Sequence, residues 1–219
     1  MRYILTRCVC LPLLKYVQID AMMGCSPELI SLVSQVSCLA TKMQKHSGNH
    51  ADHISEAKRT FKQITSLEQT PRHTSGSAET MIKIAEIKRL SALLYFHDRV
   101  VSQLPLSRFS LSGPHAVADL QKSIISSLEV LPPSSGATLW PLFVLGNSKL
   151  HDTSQVRFVI DRLAQLEASR YLGSVHHARR RVERDLRLRS MELHGHGEIG
   201  DTWRGSGVVC ENERWISLA

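Results

Sequence analysis

Between Leu139 and Asn147 the chain reads LWPLFVLGN, with no polar side chain until the last residue. A helix that is apolar all round has no face to turn to water and must be enclosed by other elements. Pro141 falls within its first turn if Thr138 or Leu139 opens the helix. There a missing N–H breaks no intrahelical bond. This stretch therefore predicts a buried central helix with amphipathic helices wrapped around it.

The rest of the chain supplies them. Ser26-Pro27-Glu28 is a helix start: a hydroxyl cap, a proline in the first turn, and an acid at the positive end of the dipole. Leu29, Val33, Val36, Ala40 and Met43 then follow at helical spacing to about Gln44. After a polar break over 46–52, Ile54, Ala57, Phe61, Ile64 and Leu67 make a second stripe, with Lys58, Arg59 and Lys62 outside it. TPRHTSGS, residues 70–77, reads as a linker or loop. From Ala78 to about Gln103 runs the longest helix, apolar around much of its circumference, as a second central helix would be.

Leu104-Pro105 ends it, and Pro114 opens a helix carried by Val117, Leu120, Ile124 and Leu128. Asp152 or Thr153 caps a helix whose Val156, Val159, Ile160, Leu163 and Leu166 face the core. Gly173 breaks the chain, and Ser174 can cap a last helix to about Leu193. Strand signals are poor throughout. The fold class is all-α: an antiparallel helical bundle or an irregular helical array around the central apolar helix. Three segments are expected: a partial helical segment over 1–22, the main helical domain over 23–194, and a loose Gly-rich tail over 195–219.

Composition bounds the class of function. At 219 residues the chain can bury one good core or two small ones. A net charge of +7 suits an acidic partner without identifying one. Five cysteines (Cys8, Cys10, Cys25, Cys38, Cys210) form no regular framework, which fits buried thiols in a reducing compartment. No apolar run is long enough to span a bilayer, and the start, interrupted by Arg7 and Pro12, is a poor signal peptide.

Catalytic and metal motifs are missing. There is no G-x-S-x-G, H-E-x-x-H, phosphate-binding glycine loop or dinucleotide fingerprint. His46, His50 and His53 fall in a polar stretch, and His194 and His196 lie upstream of Cys210, without zinc spacing. All read as solvated. His97-Asp98 and His151-Asp152 resemble the pairs of helical metal-dependent phosphohydrolases, whose sites need further ligands; Asp161 and His73 are poor recruits. Cys25 and Cys38 read as buried structural thiols.

The basic stretch HHARRRVERDLRLR, residues 176–189, sets six arginines against two acids, a local charge of +4. Arg179, Arg180, Arg181, Arg184 and Arg187 make a basic surface that could meet phosphates or an acidic protein. The competing reading is a solvated outer face over Val175, Ala178, Val182 and Leu186. Aromatics for base stacking are lacking there, so direct DNA binding by this chain is not expected.

Four segments in order resemble one family. DAMMGCSPEL (20–29), continuing through SLVSQVSCLA, looks like its acidic-then-GC-P-EL helix start. RLSALLYFHDRVVSQLP (89–105) is similar to its long helix closing in a leucine-proline pattern. LWPLFVLGN (139–147) is the most specific piece, and VRFVIDRLAQLEASRYLGSVHHARRRVE (156–183) looks like its following helical pair. The family is the fungal-specific transcription factor domain, the regulatory half of fungal binuclear zinc-cluster transcription factors.

The resemblance implies an all-helical, nuclear domain regulating transcription by RNA polymerase II. Its partners would be proteins of the transcription machinery or a second copy of itself, with a small-molecule inducer held near Trp140 and Phe143, unless these are plain core. No C-x-x-C-x6-C segment is present, so this chain has no cofactor of its own; zinc would belong to an N-terminal cluster. Asp185 and Leu186 also stand where the family tends to end in an aliphatic-tryptophan pair. The expectation is a truncated or degenerate member, or a gene model that lost its first exons. Its rivals are a helical interaction scaffold with no role at DNA and, behind it, a metal-dependent phosphohydrolase.

Overall fold

Ser26 adopts an extended conformation and its hydroxyl accepts the Leu29 N–H at 3.3 Å, opening helix α1 (Pro27–Gln44) with Pro27 in the first turn. The computed structural model describes residues 17–45, 50–71, 78–104, 116–150, 152–170 and 173–194. Its further helices are α2 (His50–Thr65), α3 (Ala78–Arg99), α4 (Val117–Glu129), α5 (Leu139–Asn147), α6 (Thr153–Ser169) and α7 (Gly173–His194). The all-α expectation holds. The only strands among the described residues are β1 (Gln18–Ile19) and β2 (Thr70–Pro71), paired in parallel. The chain divides into two compact units, Met1–Leu111 and Ser112–Ala219.

In the N-terminal unit α1, α2 and α3 pack on one another. The expected α1 stripe is buried in full, joined by Leu32 and Leu39. On α3 four consecutive residues, Ser91 to Leu94, are buried with Ile87 and Phe96, as a helix with neighbours on several sides requires. Phe96 is fully enclosed, its ring 5.8 Å from that of Phe61.

Four expectations change here. Residues 17–22 are not helical: they form β1 and a turn in which Asp20 Oδ1 accepts the N–H groups of Met22 and Met23, both at 2.9 Å. An aspartate that captures the next amides competes with helix formation. Gly24 completes the turn at a φ of 63°, which a side chain would resist. The linker over 70–77 begins as a strand, where Thr70 and Pro71 pair with Gln18 and Ile19; its remainder lies outside the described residues. α2 starts at His50, within the expected polar break. Finally, α3 stops at Arg99, and a 3-10 turn over Val101–Gln103 carries the chain to Leu104.

In the C-terminal unit α5 is the element on which α4, α6 and α7 pack. Leu139, Pro141, Leu142, Val144, Leu145 and Gly146 are buried. Gly146 is essential to that arrangement. A Cβ there would lie 2.5 Å from Val182 Cγ1 on α7 and 3.2 Å from Val159 Cγ1 on α6. Thus the α5 backbone itself touches both neighbours.

Local chemistry fixes the helix ends. Asp152 caps α6, accepting the Ser154 N–H at 2.8 Å. α7 begins at Gly173, so Ser174 sits in its first turn rather than before it. Arg162 donates to the carbonyls of Leu128 and Leu131, and Arg170 to that of Ser134 at 2.9 Å. These guanidiniums add donors to carbonyls at the end of α4 and in the turn that follows it.

Candidate functional site

The basic stretch lies on α7, and its apolar spacing decides which arginines face where. Val175, Ala178 and Val182 are buried at intervals of three and four, with Leu186 half-buried beyond them. Arg179 and Arg181 flank this stripe and are half-buried; Arg180, Arg184 and Arg187 point to solvent.

The flanking pair is committed to the fold. Arg179 Nε donates to Glu183 Oε1 at 2.7 Å and its Nη1 to Glu167 Oε2 on α6 at 2.9 Å. His176 Nδ1 lies 2.6 Å from the other Glu167 oxygen. Bonds from His176 and Arg179 hold the Glu167 carboxyl below the usual carboxylate range, and the two glutamates push the Arg179 guanidinium up. Arg181 Nε makes a looser ion pair with Asp185 at 3.7 Å, beyond hydrogen-bonding range. Glu167 carries no signal in the sequence; only the antiparallel return of α7 along α6 puts it beside Arg179.

The outer residues differ. Arg184 stands 3.7 Å from Asp185 with most of its side chain in water. Arg180 has no ion-pair partner among the described residues, and His177 is exposed one turn before it. The five arginines read from the sequence thus form two groups, Arg179 and Arg181 half-buried beside the stripe and Arg180, Arg184 and Arg187 exposed.

Trp140 and Phe143 are both half-buried on α5, on the side left between its fully buried positions. Trp140 makes a polar or ring contact, so it is already engaged within the protein. The N-terminal unit has a cleft of about 340 Å³ over the Thr65–Gln69 bend, bordered by Ile82, Glu86 and Arg89. Its one cation is spent: Arg89 donates to the carbonyls of Ile64 and Thr65 and pairs with Glu86 at 2.6 Å.

Other candidates resolve individually. His53 is buried on the core face of α2, one turn before Ala57, and is not solvated as its neighbours in sequence suggested; its Nε2 and the Thr60 hydroxyl lack partners among the described residues. Cys25 is buried and Cys38 exposed, the latter against expectation, because position 38 falls outside the α1 stripe. Burial pushes the Cys25 thiol up, and the nearby Lys88 ammonium opposes that shift. His97 is half-buried and pushed down by desolvation. His46, His73, His151, His196, Cys8, Cys10 and Cys210 lie outside the described residues. Among the described residues no three His, Cys, Asp or Glu side chains converge as metal ligands, and no helix is long and apolar enough to cross a membrane.

One clamp escaped the sequence reading altogether. Lys88 on α3 is buried, donates its amine to the Met23 carbonyl, and is held below the usual lysine range by desolvation. Gln69 accepts the Ser26 N–H at 2.7 Å and donates to the Ala85 carbonyl at 2.8 Å. Together they pin the Gly24-Cys25-Ser26 segment to α3.

Against known proteins, the family described as fungal specific transcription factor domain matches residues 6–185. No curated protein and no solved structure matches the chain.

Proposed function

Because the chain belongs to the fungal-specific transcription factor domain family, we propose that it regulates transcription by RNA polymerase II from within the nucleus, through contacts with other proteins and not by catalysis. The observation that carries this reading is the family match over residues 6–185, most of the chain. A regulatory role in transcription is the family's own character; the polymerase, the compartment and the protein contacts are the finer proposal. Residues 23–194 form the working domain in this reading, and the chain itself reads no DNA sequence. Its partners are proteins of the transcription machinery or a second copy of the chain.

An inducer, where one acts, meets α5 near Trp140 and Phe143. It shifts regulation by favouring one packing of the helices over another. Thermal-shift screening with metabolites checks this: a ligand raises the melting temperature of the parent and not of a Trp140→Ala variant.

Deleting the locus and sequencing the transcripts tests the main reading, with a tagged chain followed in the same cells. Nuclear accumulation together with a defined set of altered transcripts supports it. Exclusion from the nucleus with an unchanged transcript set rejects it and favours a scaffold with no role at DNA.

A further inference from the structure

The division of the α7 arginines leaves a surface without an assigned role. His177, Arg180, Arg184 and Arg187 are all exposed, and their spacings of three, four and three place them along one outward stripe. Leu188, one turn beyond Arg184, is 54% exposed. From His177 to Leu188 the stripe runs about 16 Å along the helix. The acids of the same region are turned to the flanks: Glu167 and Glu183 are bound by Arg179, and Asp185 lies between Arg181 and Arg184. These three acids stand against Arg179, Arg180, Arg181, Arg184 and Arg187, so the region keeps a net positive charge.

We propose that this outer face of α7 docks an acidic, leucine-bearing segment of a partner protein. A helical segment presents carboxylates every three or four residues, the period at which Arg180 and Arg184 recur. Its leucines supply an apolar partner for Leu188. A nucleic-acid duplex fits less well: its phosphates offer Leu188 nothing, and the stripe has no Phe, Tyr or Trp on which a base could stack. The proposal rests on the reading of the chain as a regulator acting through protein contacts, and gives that reading a surface and a partner chemistry.

The test is fluorescence anisotropy with the full chain and three probes: a synthetic helical peptide of glutamate and leucine, its glutamine-for-glutamate counterpart, and a duplex of arbitrary sequence. The acidic peptide binds at low salt, and binding weakens about tenfold when ionic strength rises enough to screen exposed charges. Combining Arg180→Glu, Arg184→Glu and Arg187→Glu weakens it by about tenfold or more at fixed salt. Lys122→Glu, an exposed reversal on α4, leaves it unchanged. The glutamine peptide binds neither protein.

Absence of binding at low salt overturns the proposal. So does equal affinity for the triple variant, or displacement of the peptide by an equal concentration of duplex. Circular dichroism of the triple variant establishes that it is folded. If transcripts respond to the chain but the triple variant regulates as the parent does, this surface is rejected while the regulatory reading stands. If the peptide binds through these arginines but deletion of the locus alters no transcript, the regulatory reading fails and the surface stands.

Discussion

In the N-terminal unit the entry to α1 is held from far along the chain. Gln69 reaches the Ser26 amide across 43 residues of sequence, and Lys88 reaches the Met23 carbonyl across 65. The C-terminal unit fixes its comparable junction with neighbours: Asp152 caps α6 through Ser154, two residues away. The centres differ too. In the first unit bulky side chains fill the space between helices, with Phe96 enclosed against Phe61. In the second, the absence of a side chain at Gly146 lets α5 lie directly on α6 and α7. One unit is centred on a filled space and the other on a close approach. Both use long-range side-chain clamps: in the second, Arg162 and Arg170 reach carbonyls 31 to 36 residues away.

The largest effect separates the two centres. Phe96→Ala empties space among α1, α2 and α3 and costs about 3–5 kcal/mol in urea unfolding. Hydrogen exchange read by segment shows the loss first over residues 27–104. A smaller cost of under about 1 kcal/mol means that the side chain is not the filler described.

Gly146→Ala acts in the opposite sense, adding a methyl where Val182 Cγ1 already stands. It costs about 1–3 kcal/mol, with protection lost in α5, α6 and α7. Val182→Ala in the same chain recovers part of that cost, since it removes the colliding methyls. Two additive losses in this double variant contradict direct contact at this point.

Remote and local clamps are compared next. Gln69→Ala strands the Ser26 N–H and costs about 1–3 kcal/mol. Asp152→Ala removes an exposed cap and costs less, because water takes over the freed amide. The reverse order in thermal unfolding breaks the distinction between remote and local fixing.

The smallest effect is a pH dependence. Glu167 has its carboxyl depressed by His176 and Arg179, so it binds a proton less readily in the folded state than in the unfolded one. Its contribution is present in full above the ordinary glutamate pKa of about 4.3 and is lost as pH falls through the depressed value. Glu167→Gln therefore flattens the acid limb of the stability curve and leaves its slope near neutrality alone. Lys88 gives the mirror case for the N-terminal unit. Its amine is depressed by burial, so stability rises with pH between the depressed value and the ordinary lysine pKa of about 10.4, a rise that Lys88→Met abolishes.

The same contrast explains what could be read in advance. α5 was legible because an all-apolar run admits one environment, and α1 because Ser26, Pro27 and Glu28 sit together at its start. The stripe of α7 was legible too, and with it the buried positions 175, 178 and 182. Residues 17–22 misled because part of what shapes them is remote. Beside the local capture of two amides by Asp20, Thr70 and Pro71 supply the strand partner and Lys88 holds the Met23 carbonyl. His53 misled for a similar reason, since a polar residue on a core face looks solvated until its neighbours are placed. The candidate basic surface was half legible. Composition located it, but which arginines are spent depends on Glu167, a residue that only the packing of α6 on α7 brings near.

The central claim is that this chain changes transcription through its own contacts. The most direct measurement joins the full chain to an unrelated DNA-binding module and reads a reporter carrying that module's site. The account predicts reporter output that departs several-fold from the module alone and returns toward it in the Arg180→Glu, Arg184→Glu, Arg187→Glu variant. A folded, nuclear fusion that leaves output at the level of the bare module would contradict it.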